Sequence, residues 1–359
     1  MLANEGYRQL WLSRLTGSSG AIREFRMAAE ADPAFPYRWS DLGLALADAG
    51  RLDEARLCFV QSLELGPKDP QLALRAANFY FRVGETQAAL ELGSRILRQV
   101  PEYDDMIFNS WVRMAPSGPR TWDTGIGSDA RAAGAFFRFE MRAGDEATLQ
   151  RAWEWMEARR LTTGDLARSW AQWLIAHHDP GEGARVWAGR VTRHPESYRV
   201  SNWVDDPGFE AGGTGEGFGW RMEACPGVKV GRDSAVTHAG QPALRLAFDA
   251  SDNLDFHHVS QLVWLDAGRY RLSGWVRTAN FTTDRGVGLR LVDTTAPGLD
   301  VSTAALAGTN DWTPVSVEFS VQGRSRLAAL QIVRQPSWKF DNEPHGTAWV
   351  AGVELTKVH

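Results

Sequence analysis

Apolar side chains recur every three or four residues through the first half of the chain, and every second residue through most of the second. The first spacing marks one face of an amphipathic helix, the second one face of a strand. In "LGLALADAGRLDEARLCF" (42–59) two short helical patterns meet at Asp48-Ala49-Gly50. The unit returns at an offset of 34 residues: Pro33, Pro67 and Pro101; Ala21, Ala55 and Ala89; Leu12, Leu46 and Tyr80; Gly50 and Gly84. Phe25 and Phe59 follow the same offset, with Gly93 in third place. Small residues at Gly43, Ala55 and Ala77 let helices approach, and Phe59 and Tyr80 fill the space that remains. Each Pro, having no N–H to donate, ends a second helix. One such hairpin cannot bury its apolar face alone, so copies stack. The pattern predicts a helical array that builds a surface.

Residues 103–193 stay helical in pattern but lose the period. Helices are predicted over 128–144, 145–160, 164–178 and 181–193, the first three with Asp or Ser near the N-cap. Trp153, Trp155, Trp170, Trp173 and Trp187 are expected to pack degenerate repeats and to face the next domain. From 194 to 220 Gly becomes dense and the helical period stops. Strands are predicted over 242–248, 259–265, 270–278, 286–293, 312–321, 327–334 and 348–355, parted by the turn signals "DAG", "PGLD" and "AGTND". Strands with no helices between them predict an antiparallel sandwich. Period two sends Leu272, Val276, Val287, Leu289, Leu291, Val315, Val317 and Phe319 to the core. It sends Trp275, Arg277, Arg290 and Glu318 outward.

The middle repeat, with Trp39, Leu42, Gly43, Leu46, Ala55, Phe59 and Pro67, resembles the tetratricopeptide repeat almost position for position. The first copy departs from it at Arg8-Gln9. The resemblance spans about residues 3–102 and implies an α-solenoid that takes a protein partner. In that family the first helix of each pair lines the binding groove. Here those helices carry Asp41, Asp48, Arg75, Asn78 and Arg82, for which a solvated face is the plainer alternative. In the second half, "DPGFEAG", Gly219-Trp220, "HAGQPALRL", "VSQLVWLDAGRYRLSGWVRT", "GTNDWTPVSVEFSV" and "AWVAGVEL" resemble the jelly-roll carbohydrate-binding modules of bacterial glycanases. That resemblance covers about 203–356 and implies a jelly roll with a polysaccharide ligand. Such modules commonly hold a structural calcium between an Asp pair on the last strand and groups near the opening Phe-Glu. Glu210 is present, but Ala351-Gly352 replace the Asp pair, so no metal is assigned. The expected division is tetratricopeptide repeats over 1–102, degenerate helical repeats continuing the solenoid over 103–195, a linker over 196–206 and the sandwich over 207–359.

Composition narrows the function. The chain of 359 residues carries a formal charge of −5 and so lacks the basic excess of a general nucleic-acid binder. It has 35 arginines against Lys68, Lys229, Lys339 and Lys357. Arg suits bidentate carboxylate or phosphate contacts, but codon bias in a GC-rich genome is the plainer explanation of the excess. Cys58 and Cys225 are too few for a disulfide framework or a zinc site. No apolar run is long enough to span a membrane, and "MLANEGYRQLWLSRL" lacks signal-peptide features. The compartment is open: periplasmic or membrane-associated if an anchor precedes this sequence, otherwise cytoplasmic.

Catalytic signatures are missing. "GTGEGFG" (213–219) has no following Gly-Lys-Ser/Thr, "GSSG" (17–20) lacks the spacing of a nucleophile elbow, and nothing marks a facing carboxylate pair. Asp255 with His257-His258 reads as a strand entry at the surface. A sugar platform is the candidate reading of Trp275, Arg277, Arg290 and Glu318, against a face that covers the helical domain or a solvated charge ladder. Trp338 in "QPSWKFDNEPHG" (335–346) is the alternative site, against packing under its loop. The expectation is therefore a non-enzymatic scaffold without cofactor, holding a protein through its repeats and polysaccharide through its sandwich, in exopolysaccharide or envelope glycan assembly. The competing expectations are a pure protein–protein adaptor and, third, a glycan-active enzyme.

Overall fold

The computed structural model describes residues 20–115, 117–143, 145–213, 215–294, 298–340 and 342–358. The first repeat's opening helix, with Leu12 and Arg8-Gln9, lies outside them. An α-helical first half is followed by a two-sheet antiparallel β-sandwich. The chain divides into two compact units, Met1–Thr162 and Thr163–His359. Among the described residues no helix is long and apolar enough to cross a membrane.

In the first unit α1 (Gly20–Ala31) precedes two helical hairpins, α2 (Pro36–Asp48) with α3 (Leu52–Leu65) and α4 (Pro70–Arg82) with α5 (Thr86–Gln99). Every boundary of the second hairpin lies 34 residues after the first, as the sequence period requires. Both turns close the same way. Gly50 and Gly84 take φ of 78° and 82°, and Arg51 and Glu85 donate their N–H to the carbonyls of Leu46 and Tyr80. This is the Schellman motif, which satisfies the last helical carbonyls and favours a residue without Cβ. A Cβ on Gly43 would lie 3.2 Å from Phe59 and 3.3 Å from Cys58, so glycine here sets how closely α2 and α3 pack. Helices α6 (Asp104–Met114), α7 (Pro119–Gly125), α8 (Ala130–Ala143) and α9 (Glu146–Ala158) complete the unit.

The second unit opens with the hairpin of α10 (Gly164–Ala176) and α11 (Pro180–Arg190). Ten strands follow: β1 (Arg221–Met222), β2 (Val228–His238), β3 (Gln241–Asp249), β4 (Phe256–Leu265), β5 (Gly268–Phe281), β6 (Gly288–Asp293), β7 (Asp300–Ser302), β8 (Gly308–Val321), β9 (Arg326–Arg334) and β10 (His345–Val358). Sheet A has the order β1-β4-β9-β6-β7 and sheet B the order β2-β3-β10-β5-β8. From β3 onward nearly every connection crosses from one sheet to the other, as in a jelly roll. The inward residues Leu272, Val276, Val287, Leu289, Leu291, Val315 and Phe319 lie in the core between the sheets, with Val317 partly buried against it.

The compact units part at Thr162/Thr163, ahead of the 196–206 linker that composition suggested. The reason is visible in the second unit. Trp187 of α11 is 1% exposed, packs on Phe218 and donates its indole N–H to Asp205 at 2.8 Å. Asp205 also accepts from the Thr192 hydroxyl, and its backbone exchanges two hydrogen bonds with the Gln261 side chain on β4. Gln172 of α10 accepts the Gly217 N–H at 2.7 Å. The segment 194–220 is thus packed structure between this helical hairpin and the sandwich.

Candidate functional site

Strand alternation gives the outer face of sheet B. On β5 the outward residues are Arg269, Arg271, Ser273, Trp275 and Arg277. Across the ladders Arg271 faces Glu318, Ser273 faces Ser316 and Glu354, Trp275 faces Pro314 and Ala351, and Arg277 faces Trp349. The β2–β3 hairpin crosses over this face. Its two-residue turn, Ala239-Gly240, has φ of 48° and 80°, the type I′ signature. The β2–β3 register shifts between Asp233 and Thr237, which frees the tip from the plane of the sheet. His238 therefore stacks on Trp275, centroids 4.3 Å apart, and meets Trp312 of β8 edge-on at 5.2 Å. Trp312 also donates its indole N–H to the Thr237 carbonyl at 3.0 Å. In the sheet itself β3 and β10 lie between β2 and β5.

The tip walls a cleft of about 790 Å³ on sheet B. Ser273, Trp275, Ser316, Glu318 and Glu354 line it, together with His194 and Glu210. Glu318 accepts from Arg271 at 3.1 Å and from Arg269 at 3.4 Å. The hydrogen bond from Arg271, then the charges of both arginines, hold its carboxyl below the ordinary glutamate range. The cleft thus combines aromatic rings, small hydroxyls and a fixed ion pair, which suits a ligand with both apolar faces and many hydroxyls. A Cβ on Gly352 would lie 3.5 Å from the Trp275 indole. Ala351-Gly352, where the resembling modules carry their Asp pair, thus sit beside the aromatic wall.

The predicted platform is only partly assembled. Trp275 and Glu318 line the cleft, although His238 covers one face of the Trp275 ring. Arg277 lies two ladder positions beyond, with its guanidinium 5.7 Å from the Trp349 ring centroid and 3.8 Å from Asp311. Arg290 is a correction: it lies on β6 in sheet A, paired with Asp300 at 2.7 and 2.6 Å. Alternation tells which side of a strand a residue takes but not which sheet the strand joins, and the chain changes sheets after β5. Trp338 stands elsewhere, 93% exposed beside Phe340 on the loop before β10. That loop is held from within. Arg334, wholly buried, donates to the Asn342 carbonyl at 2.9 Å, and Ser337 exchanges two hydrogen bonds with Asn253. His238, Arg271, Glu354 and Trp349 were missed. Period two carries a signal for Trp349, which sits between the inward Ala348 and Val350. His238 had none, because it depends on the hairpin's path.

Among the described residues, His194, Asp206 and Glu210 offer ligand atoms within 4.8 Å of one another. Both Asp206 oxygens already accept backbone N–H groups, from Glu210 at 2.7 Å and Ala211 at 2.8 Å. One imidazole and two carboxylates fall short of the six to eight oxygens calcium takes.

In the helical unit the expected groove residues engage one another. Arg75 donates to Asp41 at 2.8 Å, and Arg82 donates to Asp48 at 2.7 Å and to the Ala47 carbonyl at 2.9 Å. Both ion pairs join residues 34 apart, so the repeat sets an Asp of α2 beside an Arg of α4. Asp41 is buried, Arg75 also lies over the Tyr37 ring at 5.4 Å, and Asn78 is exposed. The Tyr37 hydroxyl donates to Asp69 at 2.7 Å, and burial, then that bond, pushes its pKa up to about 12.

No protein-family profile matches the chain, and no curated protein matches it. Similar solved structures include the CBM22-1 xylan-binding domain of Xyn10C from Paenibacillus barcinonensis, at 16% identity over 44% of this chain and 92% of that one, TM-score 0.30. MamA from Desulfovibrio magneticus RS-1 is similar at 18% identity over 52% of this chain and 92% of that one, TM-score 0.26. The enzymatically active domain of tailspike protein 4 from bacteriophage CBA120 is similar at 10% identity and TM-score 0.28. There the match covers 39% of this chain and only 19% of that one.

Proposed function

We propose that this chain is a non-enzymatic scaffold whose sandwich holds a polysaccharide along the outer face of sheet B and whose helical repeats take a protein partner. The setting we infer is bacterial exopolysaccharide or envelope glycan assembly. The observation that carries the reading is the cleft under the β2–β3 tip, where Trp275 and His238 form an aromatic wall above Ser273, Ser316 and Glu354. Sugars present apolar C–H faces and dense hydroxyls, and ligand sites pair apolar walls with a few placed polar groups. Affinity electrophoresis against a panel of bacterial polysaccharides tests it. The parent should be retarded by at least one polymer, Trp275→Ala should lose that retardation, and Trp338→Ala should keep it. Absence of retardation by every polymer, or equal behaviour of Trp275→Ala and the parent, would count against the reading.

The exposed pair Trp338 and Phe340 favours a second reading, a protein–protein adaptor whose sandwich binds no sugar. Two large aromatics displayed on a loop anchored from below match an interface anchor. Under that reading, partner capture survives glycan digestion and fails in Trp338→Ala/Phe340→Ala.

A further inference from the structure

Beyond the cleft, the outer face of sheet B carries a second hollow, of about 370 Å³, bordered by Lys229, Gly231, Arg232, Asp233 and Arg245. Alternation along β2 puts Lys229, Gly231 and Asp233 on one side, and the ladder sets Arg245 opposite Gly231. A Cβ on Gly231 would meet nothing within 4 Å, so its missing side chain leaves the floor open. Two cations on this face, Lys229 and Arg245, border the space against one carboxylate, and that carboxylate is engaged. Asp233 accepts from the Trp349 indole at 2.9 Å and from the N–H groups of Ala235 at 3.0 Å and Val236 at 3.3 Å. The indole hydrogen bond, foremost, holds its carboxyl below the usual range. Among the described residues no carboxylate forms a direct ion pair with Lys229 or Arg245, and Asp233 acts on Arg245 only through its charge at longer range. The next strands extend the arrangement, since Arg245 faces Trp349, which faces Arg277. An indole thus lies between two guanidinium groups, two ladder positions from Trp275.

We propose that this hollow is a subsite for the carboxylate of an acidic sugar, so that the polysaccharide held on sheet B is a polyuronate and not a neutral glycan. The proposal rests on the reading that sheet B binds polysaccharide, and it adds the ligand's charge. Arginine and lysine flanking an open floor bind a carboxylate by charge-assisted hydrogen bonds. Trp349 offers an apolar surface beside them.

The test uses the full chain with polygalacturonate and the same polymer after carboxyl reduction, by titration calorimetry at low and physiological salt. The expected result is tighter binding of the acidic polymer by about tenfold or more, the effect of charge-assisted contacts made by two cations. That preference should shrink as salt rises and vanish in Lys229→Gln/Arg245→Gln. Both side chains are exposed, so the double variant should keep the parent's melting temperature. Equal binding of the two polymers, or a preference that survives the double variant, overturns the acidic subsite and leaves the cleft reading standing. Binding of neither polymer, together with no retardation by any other glycan, overturns both.

Discussion

Arg75→Ala should destabilise the helical unit far more than Arg82→Ala, although both arginines lie on α4 and each pairs with the Asp 34 residues before it. Arg75 pairs with Asp41, whose side chain is 4% exposed, while Arg82 pairs with Asp48 at 23%. Removing one partner of a buried ion pair costs about 3–5 kcal/mol, because the remaining carboxylate loses a charge-assisted contact that water does not fully replace. Arg75 itself is 30% exposed, so water enters once it is gone, and about 2–3 kcal/mol is the working figure. The exposed pair should cost below about 1 kcal/mol. With a urea slope of about 2–3 kcal/mol/M, the midpoint falls by about 1 M for Arg75→Ala and by a third of that or less for Arg82→Ala. Circular dichroism at a helical wavelength follows the unit, and a double-mutant cycle with Asp41→Ala isolates the coupling. Equal shifts for the two arginines, or additive effects of Asp41→Ala and Arg75→Ala, would refute the structural role assigned to this pair.

Two further perturbations probe the packing of the second unit. Burial, chiefly, raises the Asp205 carboxyl pKa, against the pull of hydrogen bonds from Thr192 and Trp187. The folded pKa thus lies above the unfolded value of about 3.9, and this group's contribution is fullest below that value and lost as pH rises through the folded pKa. Asp205→Asn should remove this downward slope, so variant and parent urea midpoints should diverge above about pH 4 in the variant's favour; a constant difference would contradict it. Gly217→Ala should cost about 2–4 kcal/mol, since φ is 53° and the new Cβ would lie 2.3 Å from the Trp187 ring. Gly212→Ala, at φ of 70° with nothing within 4 Å, should cost about 1 kcal/mol. Similar melting temperatures for the two would contradict the packing of Trp187 on this turn.

Local signals carried the fold a long way. The 34-residue period located both hairpins because each copy repeats the same contacts, from Gly43 against Phe59 to the glycine turn at Gly50 and Gly84. Seven strands were visible as alternating apolar runs. Strand β2 was not, because it is an edge strand whose side chains are largely exposed and whose run "VKVGRDSAVTH" contains Gly and charge. That omission hid most of the site, since β2 supplies His238, Lys229, Gly231 and Asp233. Arg290 failed for a different reason: its sheet is decided by crossovers that no local period encodes. Asp41 and Arg75 both belong to the expected groove lining, but one sequence position says nothing about the neighbour 34 residues away until the copies are stacked.

If sugar lies on the outer face of sheet B, indole N–H resonances report it directly. Each signal is assigned by a single Trp→Phe substitution, and the protein is titrated with an oligosaccharide cut from the polymer that retards it. Sugar on this face should shift Trp275, Trp312 and Trp349, with Trp338 unmoved. Movement of Trp338 alone, or saturating binding that leaves all three sheet B indoles unchanged, would contradict it.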